Sequence, residues 1–596
     1  MAKYSVEQRD VATLLNLVKS EQIAIPELQR PFVWDSVKVR DLMDSLYKGY
    51  PVGYLITWQS VGAKLKGGQV ATYQQILIDG QQRITALRAA VAGLKVIDKR
   101  YRQKRITIAF NPVKEEFATA TPVIAKDPEW VSDISGFMCL DSTWEFFNDY
   151  FTRNPDVDKS TVGRNLERLS KIKNAQIGII SLSDDLDVET VSEIFIRINS
   201  KGVPLSSADF AMSKIATYGD RGRNLRKLID YFAHLSVAPH AYDDIKENDV
   251  EFGASGYLEK IAWLRNVSED LYDPNYGDII RVAGLVGFSR GRASSIVGEL
   301  SGRDPETRKL DPDRIPQAYD VLEAALAKIV NQYEFENFVM TIKSAGFITP
   351  SMIGSKNALN FAYALYLRLR QDTSMSEGER KRIVRRWFVM SMLTGRHSGS
   401  FETTWELDMR RIASMGAAAY LRQLEESTLS DAYWNVTMPS ALQTPSTSAP
   451  AFQAFLASQI HANKRGFLSR SITVTAMHEN SGDIHHIVPK AYLQTHGVTD
   501  RRDYNQVANF ALTETSVNIS IGKRSPAEYM GMVDEQIATG VLKLGEIVDA
   551  DDLVRNLEEN AIPANIRDVS VDDYESFLAE RRHLMAQAVR RYYEGL

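Results

Sequence analysis

The 596-residue sequence contains little cysteine and little histidine, and it has no long apolar run. Its one cysteine, Cys139, excludes an intramolecular disulfide framework and a cysteine-rich zinc site, as is usual in a reducing cytosol. No apolar stretch approaches the roughly 20 residues of a membrane span. The first residues, MAKYSVEQRDVATLL, lack the basic segment and the apolar core of a secretory signal. These absences predict a soluble, cytoplasmic protein.

An excess of positive charge is also missing, since the formal net charge at pH 7 is −5. This value does not by itself indicate nucleic-acid binding, which depends on clustered lysine and arginine rather than on the total. Basic clusters occur at 98–105, 379–387, 464–470 and 581–593. Such clusters are more often solvated helix faces than binding surfaces, so charge leaves the function open.

The chain is too long for one hydrophobic core, so two to four domains are expected. Residues 1–220 alternate strand-like and helical patterns, as in YQQILIDG followed by QQRITALRAAVAGL, which predicts an α/β domain. Residues 221–437 contain mainly amphipathic helical patterns and are predicted to form a helical domain. The uncharged segment 438–454, rich in Pro, Ser and Thr, is interpreted as a linker or loop. Residues 455–596 form a last domain with a helical tail.

The most informative motif is DIHHIVPK at 483–490, because paired histidines are rare in a chain that contains nine. Asn509 and Asn518 follow it, and this order is typical of an HNH, or ββα-metal, nuclease site. Neighbouring side chains on a strand point to opposite faces, so His485 and His486 can have different roles. We expect His485 to bind a divalent metal and the neutral His486 to take a proton from water.

The two asparagines have separate expected roles. Asn518 can add a neutral oxygen ligand for a hard ion such as Mg²⁺, which would stabilise charge on the phosphate and on the leaving oxygen. Asn509 is expected to hold the loop between the strands by hydrogen bonds to backbone. The alternative is that His485 and His486 form a buried strand pair with satisfied imidazoles.

A second candidate site lies at ILIDGQQRITAL, residues 76–87. The predicted strand ends at Asp79, and Gly80 permits a tight turn. The predicted helix then begins with Gln81, Gln82 and Arg83. The helix N-terminus and Arg83 offer donors to the phosphates of a nucleotide, although the chain contains no P-loop motif. The alternative is that Asp79 caps the helix and Arg83 lies at the surface.

Two further segments contain polar residues that packing alone does not explain. IPELQRPFVWD, residues 25–35, sets Gln29 and Arg30 between two prolines. FIRINSKGVPLSSADF, residues 195–210, places Arg197 and Asn199 before a glycine turn. Arg197 is either a second phosphate contact or the partner of Glu193, four residues earlier.

Together these segments resemble the GmrSD family of modification-dependent (type IV) restriction enzymes over nearly the whole chain. The matching motifs are Gln29-Arg30 with Trp34, the signature DGQQR at 79–83, and F-x-R-I-N-x-x-G-x-x-L at 195–205. The resemblance implies an N-terminal domain similar to the ParB-like fold, associated with nucleotide hydrolysis and sensing. It also implies a C-terminal HNH nuclease, and the phosphorothioate-sensing relative SspE has the same order of domains.

The sequence departs from the family pattern at two places. Leu28 stands where family members often have an aromatic residue before Gln-Arg, which argues against phosphorothioate sensing. The usual final histidine of an HNH site is absent. Asn518 followed by Lys523 instead resembles the Cas9-type ending, in which Asn binds metal and Lys lies nearby.

The predicted architecture is an α/β, ParB-like N-terminal domain, an α-helical middle region and a C-terminal ββα-metal (HNH) nuclease domain. The predicted function is a nucleotide-regulated DNA endonuclease of bacterial anti-phage defence, acting on modified DNA. It would use Mg²⁺ or Mn²⁺ and GTP, ATP or another NTP, and it could form homo-oligomers. The alternative is an NTP-switched DNA-binding regulator whose HNH domain binds without cutting, against which an intact His486 argues. The predicted residues are catalytic His486, Asn509 and Lys523; metal-binding His485 and Asn518; and nucleotide-binding Asp79, Gly80, Gln81, Gln82, Arg83, Gln29, Arg30, Arg197 and Asn199.

Overall fold

The computed structural model describes residues 3–20, 22–24, 34–59, 75–97, 103–140, 143–183, 186, 190, 191, 194, 207–267, 271–304, 307, 309–479 and 483–596. The chain divides into two compact units. Unit 1 comprises Met1–Val267 and Pro274–Val330, and unit 2 comprises Ser268–Asp273 and Asn331–Leu596. The division at residue 330 therefore falls within the segment predicted as one helical domain.

Unit 1 is built on a mixed sheet of five strands. The strands are β1 (Tyr4–Asp10), β2 (Ile23–Ala24), β3 (Tyr54–Gln59), β4 (Gln75–Asp79) and β9 (Gln176–Leu182). Their order is β1-β9-β3-β4-β2, with β9 parallel to β3, β4 parallel to β2, and the other pairs antiparallel. Ile177 and Ile179 of β9 are buried, which is the alternation expected of a strand with one face on the core.

Three helices pack on this sheet region and share its hydrophobic core. They are α1 (Val11–Lys19), α2 (Ser36–Tyr47) and α3 (Gln81–Ala92). Asp10 and Asp35 cap α1 and α2 by accepting from the backbone N–H three residues on. α3 ends at Gly93, whose φ of 67° is the left-handed cap that the sequence predicts.

Among the described residues between 96 and 170, the α/β region also contains two short antiparallel hairpins and three α-helices. These elements are β5 (Val96–Ile97), β6 (Gln103–Lys104), β7 (Ile108–Asn111), β8 (Glu116–Thr119), α4 (Ile134–Met138), α5 (Trp144–Arg153) and α6 (Lys159–Ser170).

The remainder of unit 1 is helical in its described residues. Its helices are α7 (Ser207–Ala216), α8 (Gly219–Val237), α9 (Tyr242–Asn248), α10 (Val250–Ala254), α11 (Tyr257–Lys260), α12 (Tyr276–Ala283), α13 (Ala293–Leu300) and α14 (Ile315–Ile329). In α14, buried residues recur at helical spacing from Ile315 through Leu322 to Ile329, which confirms the predicted amphipathic pattern.

Unit 2 is mostly helical and contains one two-stranded hairpin. Its elements are α15 (Gln332–Ser344), α16 (Lys356–Leu369), α17 (Glu377–Thr394), α18 (Phe401–Met415), α19 (Ala417–Thr428), α20 (Met438–Ala441), α21 (Pro450–His461), α22 (Val474–Glu479), β10 (Asp483–His486), α23 (Lys490–Thr495), α24 (Arg501–Tyr504), β11 (Phe510–Thr513), α25 (Thr515–Ile521), α26 (Pro526–Thr539), α27 (Ala550–Glu559) and α28 (Tyr574–Gly595). Within the described chain, no helix combines the length and the apolar character needed to cross a membrane.

The segment 438–454 differs from the predicted linker. Residues 442–449 lack regular structure, but α20 precedes them, α21 begins at Pro450, and the whole segment belongs to unit 2. Met438 and Leu442 are fully buried, and Phe452 is 3 % exposed. Part of the segment is therefore packed inside unit 2, and Pro450 fits the first turn of a helix.

Candidate active site

The paired histidines lie on the antiparallel hairpin of unit 2. β10 pairs with β11 so that His485 is opposite Ala511 and His486 is opposite Phe510. α25 follows β11 after one residue and carries Asn518. Two strands and a helix thus bring the histidines next to the last asparagine of the motif.

Asn518 connects two residues of β10. Its Oδ1 lies 2.7 Å from Nδ1 of His485, and its Nδ2 donates to Oδ2 of Asp483 at 3.2 Å. Side chains two positions apart on a strand share a face, so both residues reach α25. Asp483 fixes the direction of the amide, whose oxygen therefore faces the imidazole. Asp483 was not among the predicted residues, although its position two residues before His485 was a usable signal.

His485 is a buried, neutral imidazole. It is 3 % exposed, and its ring stacks on Phe467 with the centroids 6.0 Å apart. Burial lowers the pKa of His485 to about 4. Its Nε2 has no hydrogen-bond partner among the described residues, and His486 is only half-buried. Of the alternative of a buried pair with satisfied imidazoles, the structure therefore shows full burial for His485 but not for His486.

The atoms at this contact suit a small divalent cation. Adjacent ligands of octahedral Mg²⁺ lie about 3.0 Å apart when each is about 2.1 Å from the ion, and His485 Nδ1 and Asn518 Oδ1 are 2.7 Å apart. Nδ1 can act as a ligand when the ring proton moves to Nε2. Over the described chain, no group of three or more His, Cys, Asp or Glu side chains is placed to hold a metal. The donor set is therefore an imidazole and an amide oxygen beside the Asp483 carboxylate.

His486 occupies the opposite face of β10. Its Nε2 lies 3.3 Å from Oδ1 of Asn505, and its ring packs edge-on against Phe510 with the centroids 5.0 Å apart. A carboxamide oxygen only accepts, so Nε2 carries the proton and Nδ1 keeps its lone pair. Burial lowers the pKa of His486, the bond to Asn505 opposes this, and the charge of Lys490 lowers the pKa further. Asn505 had no sequence signal, because only the fold brings it to this ring.

Asn509 and Lys523 have different surroundings from the histidines. Asn509 is fully buried, its Oδ1 accepts from Val488 N at 2.9 Å, and its Nδ2 donates to Val488 O at 3.0 Å. These bonds hold the loop after β10, so Asn509 is a positioning residue. Lys523 is exposed in the turn after α25 and makes no hydrogen bond or ion pair with another described residue.

The C-terminal helix α28 holds the second strand of the hairpin. Arg581 is fully buried and donates to the carbonyl oxygens of Ala508, Phe510 and Asn560 at 2.8, 2.7 and 3.2 Å. Burial lowers the pKa of Arg581. Arg581 belongs to the basic cluster 581–593, for which a solvated helix face was the more common expectation. Its role in positioning β11 was missed because the pattern of charges does not reveal which member of a cluster is buried.

The second candidate site is the turn between β4 and α3 in unit 1. Asp79 ends β4, Gly80 adopts a φ of 95°, and α3 begins at Gln81. A Cβ at Gly80 would lie 2.2 Å from Cδ2 of Leu55, so glycine is required here. Gly80 is itself the N-cap, and no side chain makes a cap hydrogen bond. The alternative in which Asp79 caps the helix is therefore wrong.

Arg83 is held against the neighbouring strand. Its Nη1 donates to the carbonyl oxygen of Tyr54 in β3 at 2.9 Å. A Cβ at Gly53 would lie 3.1 Å from Nη2, so glycine permits this close approach. Burial lowers the pKa of Arg83, and the charge of Asp79 opposes that shift. Arg83 is therefore not a free surface residue, and the bond to Tyr54 uses only one of its five donors.

The remaining predicted residues are only partly within the described chain. Gln81 and Gln82 are half-buried in the first turn of α3, and Nε2 of Gln81 donates to Leu77 O at 3.4 Å. Four predicted nucleotide-binding residues lie outside the part of the chain that the structure describes: Gln29, Arg30, Arg197 and Asn199. Glu193, the alternative partner of Arg197, also lies outside it.

Comparison with known proteins found a match, which lies in the N-terminal part of the chain. Residues 11–216 match the family model described as the GmrSD restriction endonuclease, N-terminal domain. This region is a GmrSD-like domain. It includes the turn at Asp79–Arg83, whereas the hairpin at 483–513 lies outside the match. No curated protein matches the chain. The matched model is named for a restriction endonuclease, a class of enzyme that acts on DNA.

Proposed function

We propose that this protein is a nucleotide-regulated, metal-dependent DNA endonuclease with an HNH-type catalytic centre on the β10–β11 hairpin. The observation that carries the proposal is the His485–Asn518 contact on one face of β10 with a neutral His486 on the other. The GmrSD-like domain supports a role in restriction of foreign DNA. We also propose that this domain has a ParB-like fold and that the DNA attacked is modified phage DNA.

His486 is the proposed general base. Its Nδ1 holds a lone pair because Nε2–H points to Asn505, so Nδ1 can take a proton from the water that attacks phosphorus. The ring then becomes positively charged, and Asn505 Oδ1 stabilises that form through the same hydrogen bond. Because the pKa of His486 is lowered, the ring is ready to accept a proton at neutral pH.

The opposite face of β10 is the proposed metal site. When bound there, Mg²⁺ or Mn²⁺ would supply stabilisation of charge on the phosphate and on the leaving oxygen. His485 and Asn518 would hold the ion, and Asp483 would keep the Asn518 amide turned towards it. Lys523 is a candidate phosphate contact, since its exposed ammonium follows the helix that carries Asn518.

The turn at Asp79–Arg83 is the proposed nucleotide site. The amino end of α3 carries the positive end of the helix dipole, which favours phosphate, and Arg83 has donors beyond the one bonded to Tyr54. Asp79 lies close enough to influence the charge of Arg83, so it can bind a cation or orient water next to the phosphates. Binding or hydrolysis of an NTP here would regulate cutting rather than take part in it.

Cleavage of plasmid DNA by the purified full-length chain tests the nuclease. We expect nicking with Mg²⁺ or Mn²⁺ and none with a chelator. His486→Ala should be slower by about 10²–10⁴-fold, the usual contribution of a general base. His496→Ala is the matched control, because His496 is exposed just after α23 and, among the described residues, its side chain bonds only to Tyr492 and Thr495 of that helix. Its rate should equal that of the parent.

Two outcomes would contradict the proposal in different ways. Equal cutting by His486→Ala and the parent would remove the hairpin from catalysis. DNA binding without cutting, at every metal and NTP tested, would instead support the NTP-switched regulator.

A further inference from the structure

Unit 1 contains a cavity of about 850 Å³ that is separate from the turn at Asp79–Arg83. It lies among α1, the C-terminal half of α3 and the first turns of α8. Its basic lining residues are Lys19, Arg88, Lys173, Arg223 and Arg226. The volume falls in the usual range for small-molecule sites, about 300–1,000 Å³.

Among the described residues that line the cavity, the charge is one-sided, because none of them is acidic. Lys19 and Arg88 form no ion pair with another described residue, and Lys173 donates to a neutral group, the carbonyl of Met138. Arg223 pairs with Asp220, which does not line the cavity. A concave surface with cations and no lining anion attracts and concentrates negatively charged ligands.

Favourable interaction with the carboxyl ends of helices explains the position of only some of the basic residues that line the cavity. Lys19 lies in the last turn of α1, and Lys173 bonds the last residue of α4, so both stabilise carboxyl ends of helices. Arg88 is not in the last turn of α3. Arg226 is 3 % exposed in the third turn of α8, away from the last turn where a cation interacts favourably with the helix dipole.

The lining also contains apolar side chains. They are Leu15, Val18, Ile23, Val91 and Leu94. A lining that combines apolar side chains with several cations suits a ligand that combines a flat, weakly polar group with more than one phosphate. A nucleoside polyphosphate has both parts, and it fits within the observed volume.

Helix geometry separates this cavity from the Asp79–Arg83 turn. Arg88 is five residues after Arg83 on α3, which corresponds to about 7.5 Å along the axis and about 140° around it. The two arginines therefore project in different directions. Val91 and Ala92, further along α3, also line the cavity.

We propose that this cavity is a second nucleotide site, which binds a nucleoside polyphosphate independently of the turn at Asp79–Arg83. The proposal does not require nuclease or NTPase activity. Its ligand would be held by the cations through its phosphates and by the apolar side chains of the lining through its base.

Cys139 provides a direct test in the full-length protein. It is the only cysteine in the sequence, it is exposed, and it lines the cavity. Its reaction with N-ethylmaleimide, an uncharged reagent, would be followed with ATP, GTP, adenosine or inorganic tripolyphosphate. A nucleotide at ten times its Kd leaves few cavities empty, so labelling should slow about tenfold. Adenosine should not protect, and tripolyphosphate should protect more weakly than ATP or GTP.

Variants of the lining residues test whether protection of Cys139 comes from a nucleotide bound in this cavity. Lys19→Gln with Arg88→Gln should raise the ATP or GTP concentration needed for half-protection at least tenfold. The matched control is Lys38→Gln with Lys126→Gln, which removes the same charge from exposed positions outside the cavity. Its half-protection concentration should not change. Arg83→Gln should also leave protection unchanged, because Arg83 belongs to the other site.

The opposite results would overturn the proposal. They are no protection by either nucleotide, the same half-protection concentration in the cavity variant and its control, or loss of protection in Arg83→Gln. Protection by tripolyphosphate equal to that by ATP would overturn the assignment to a nucleotide. Protection that only DNA provides would assign the cavity to nucleic acid instead.

Discussion

The two candidate sites are constructed differently, although each begins with an aspartate on a strand. At the hairpin of unit 2, side chains from separate segments bond to one another, as Asn518 does to both His485 and Asp483. At the turn of unit 1, the backbone sets the geometry: Gly80 has a φ of 95°, and Arg83 bonds the carbonyl of Tyr54. A network of side chains is disturbed by many single substitutions, whereas a backbone turn depends mainly on its glycine. The predictions below test this difference.

The largest effect should come from Arg581→Met, which removes the donors for three buried carbonyl oxygens. Each unsatisfied buried group costs about 1–3 kcal/mol, so the loss should be about 3 kcal/mol or more. Chemical denaturation of unit 2 would measure it, and nicking should fall because β11 shifts. Arg582→Met is the control, since Arg582 is half-buried and has no bond to the hairpin. An unchanged stability of Arg581→Met would show that α28 does not hold the hairpin.

Asn518→Ala should weaken metal binding about 10–100-fold or more, because it removes one proposed ligand and the group that Asp483 orients. Calorimetric titration with Mn²⁺ measures this directly. Asn509→Ala is the contrasting variant, since its bonds go to Val488 rather than to the metal site. It should lower stability by about 1–3 kcal/mol and have a smaller effect on Mn²⁺ affinity. If both variants bind Mn²⁺ as the parent does, Asn518 is not a ligand.

Gly80→Ala should destabilise unit 1 by about 1–3 kcal/mol, because alanine is strained at this φ and its Cβ would collide with Leu55. Gly49→Ala is a matched control with a φ of 74° and no atom within 4 Å of the added Cβ. Gly49→Ala should lose less stability, and the difference between the two variants would give the contribution of the collision with Leu55. Thermal unfolding measures the stability of both variants. Equal losses of stability would mean that Leu55 moves aside in Gly80→Ala.

Asp79→Ala should have the smallest effect on stability, within about 0.5 kcal/mol, since Asp79 is not the helix cap. Asp35→Ala is the matched variant, because Asp35 does cap α2 by accepting from Lys38 N at 2.8 Å. Its loss should be about 1 kcal/mol. NTP hydrolysis should be lost in Asp79→Ala and kept in Asp35→Ala. A stable Asp79→Ala protein with the parental NTPase rate would remove Asp79 from the nucleotide site.

Much of the local structure could be predicted from sequence. The strand, glycine turn and helix at 75–92 follow from hydrophobic spacing and from the two glycines that end the strand and the helix. The order of the histidines and asparagines likewise predicted which residues meet at the hairpin, and Asn518 does contact His485. These features depend on neighbours in sequence, for which short-range periodicity carries the information.

The partners of these residues came from the fold. Asn505 approaches His486 through the loop between the strands, and Arg581 reaches β11 from a helix some 70 residues further along the chain. A polar residue looks the same in sequence whether it is solvated or buried, so neither could be recognised. The segment 438–454, interpreted as a linker or loop, is partly buried for the same reason, because burial inside unit 2 and exposure in a linker produce similar composition there.

The sequence by itself determined the chemistry that this protein can offer: two imidazoles on one strand, amides at a fixed spacing, and a glycine between a strand and a helix. Backbone geometry and side-chain type are local properties, so they can be inferred without the fold. Only the tertiary structure decided that His485 is buried and neutral, that Asp483 orients Asn518, and that five cations line one cavity. Burial and the juxtaposition of distant residues depend on how the whole unit packs, and no short stretch of sequence contains that information.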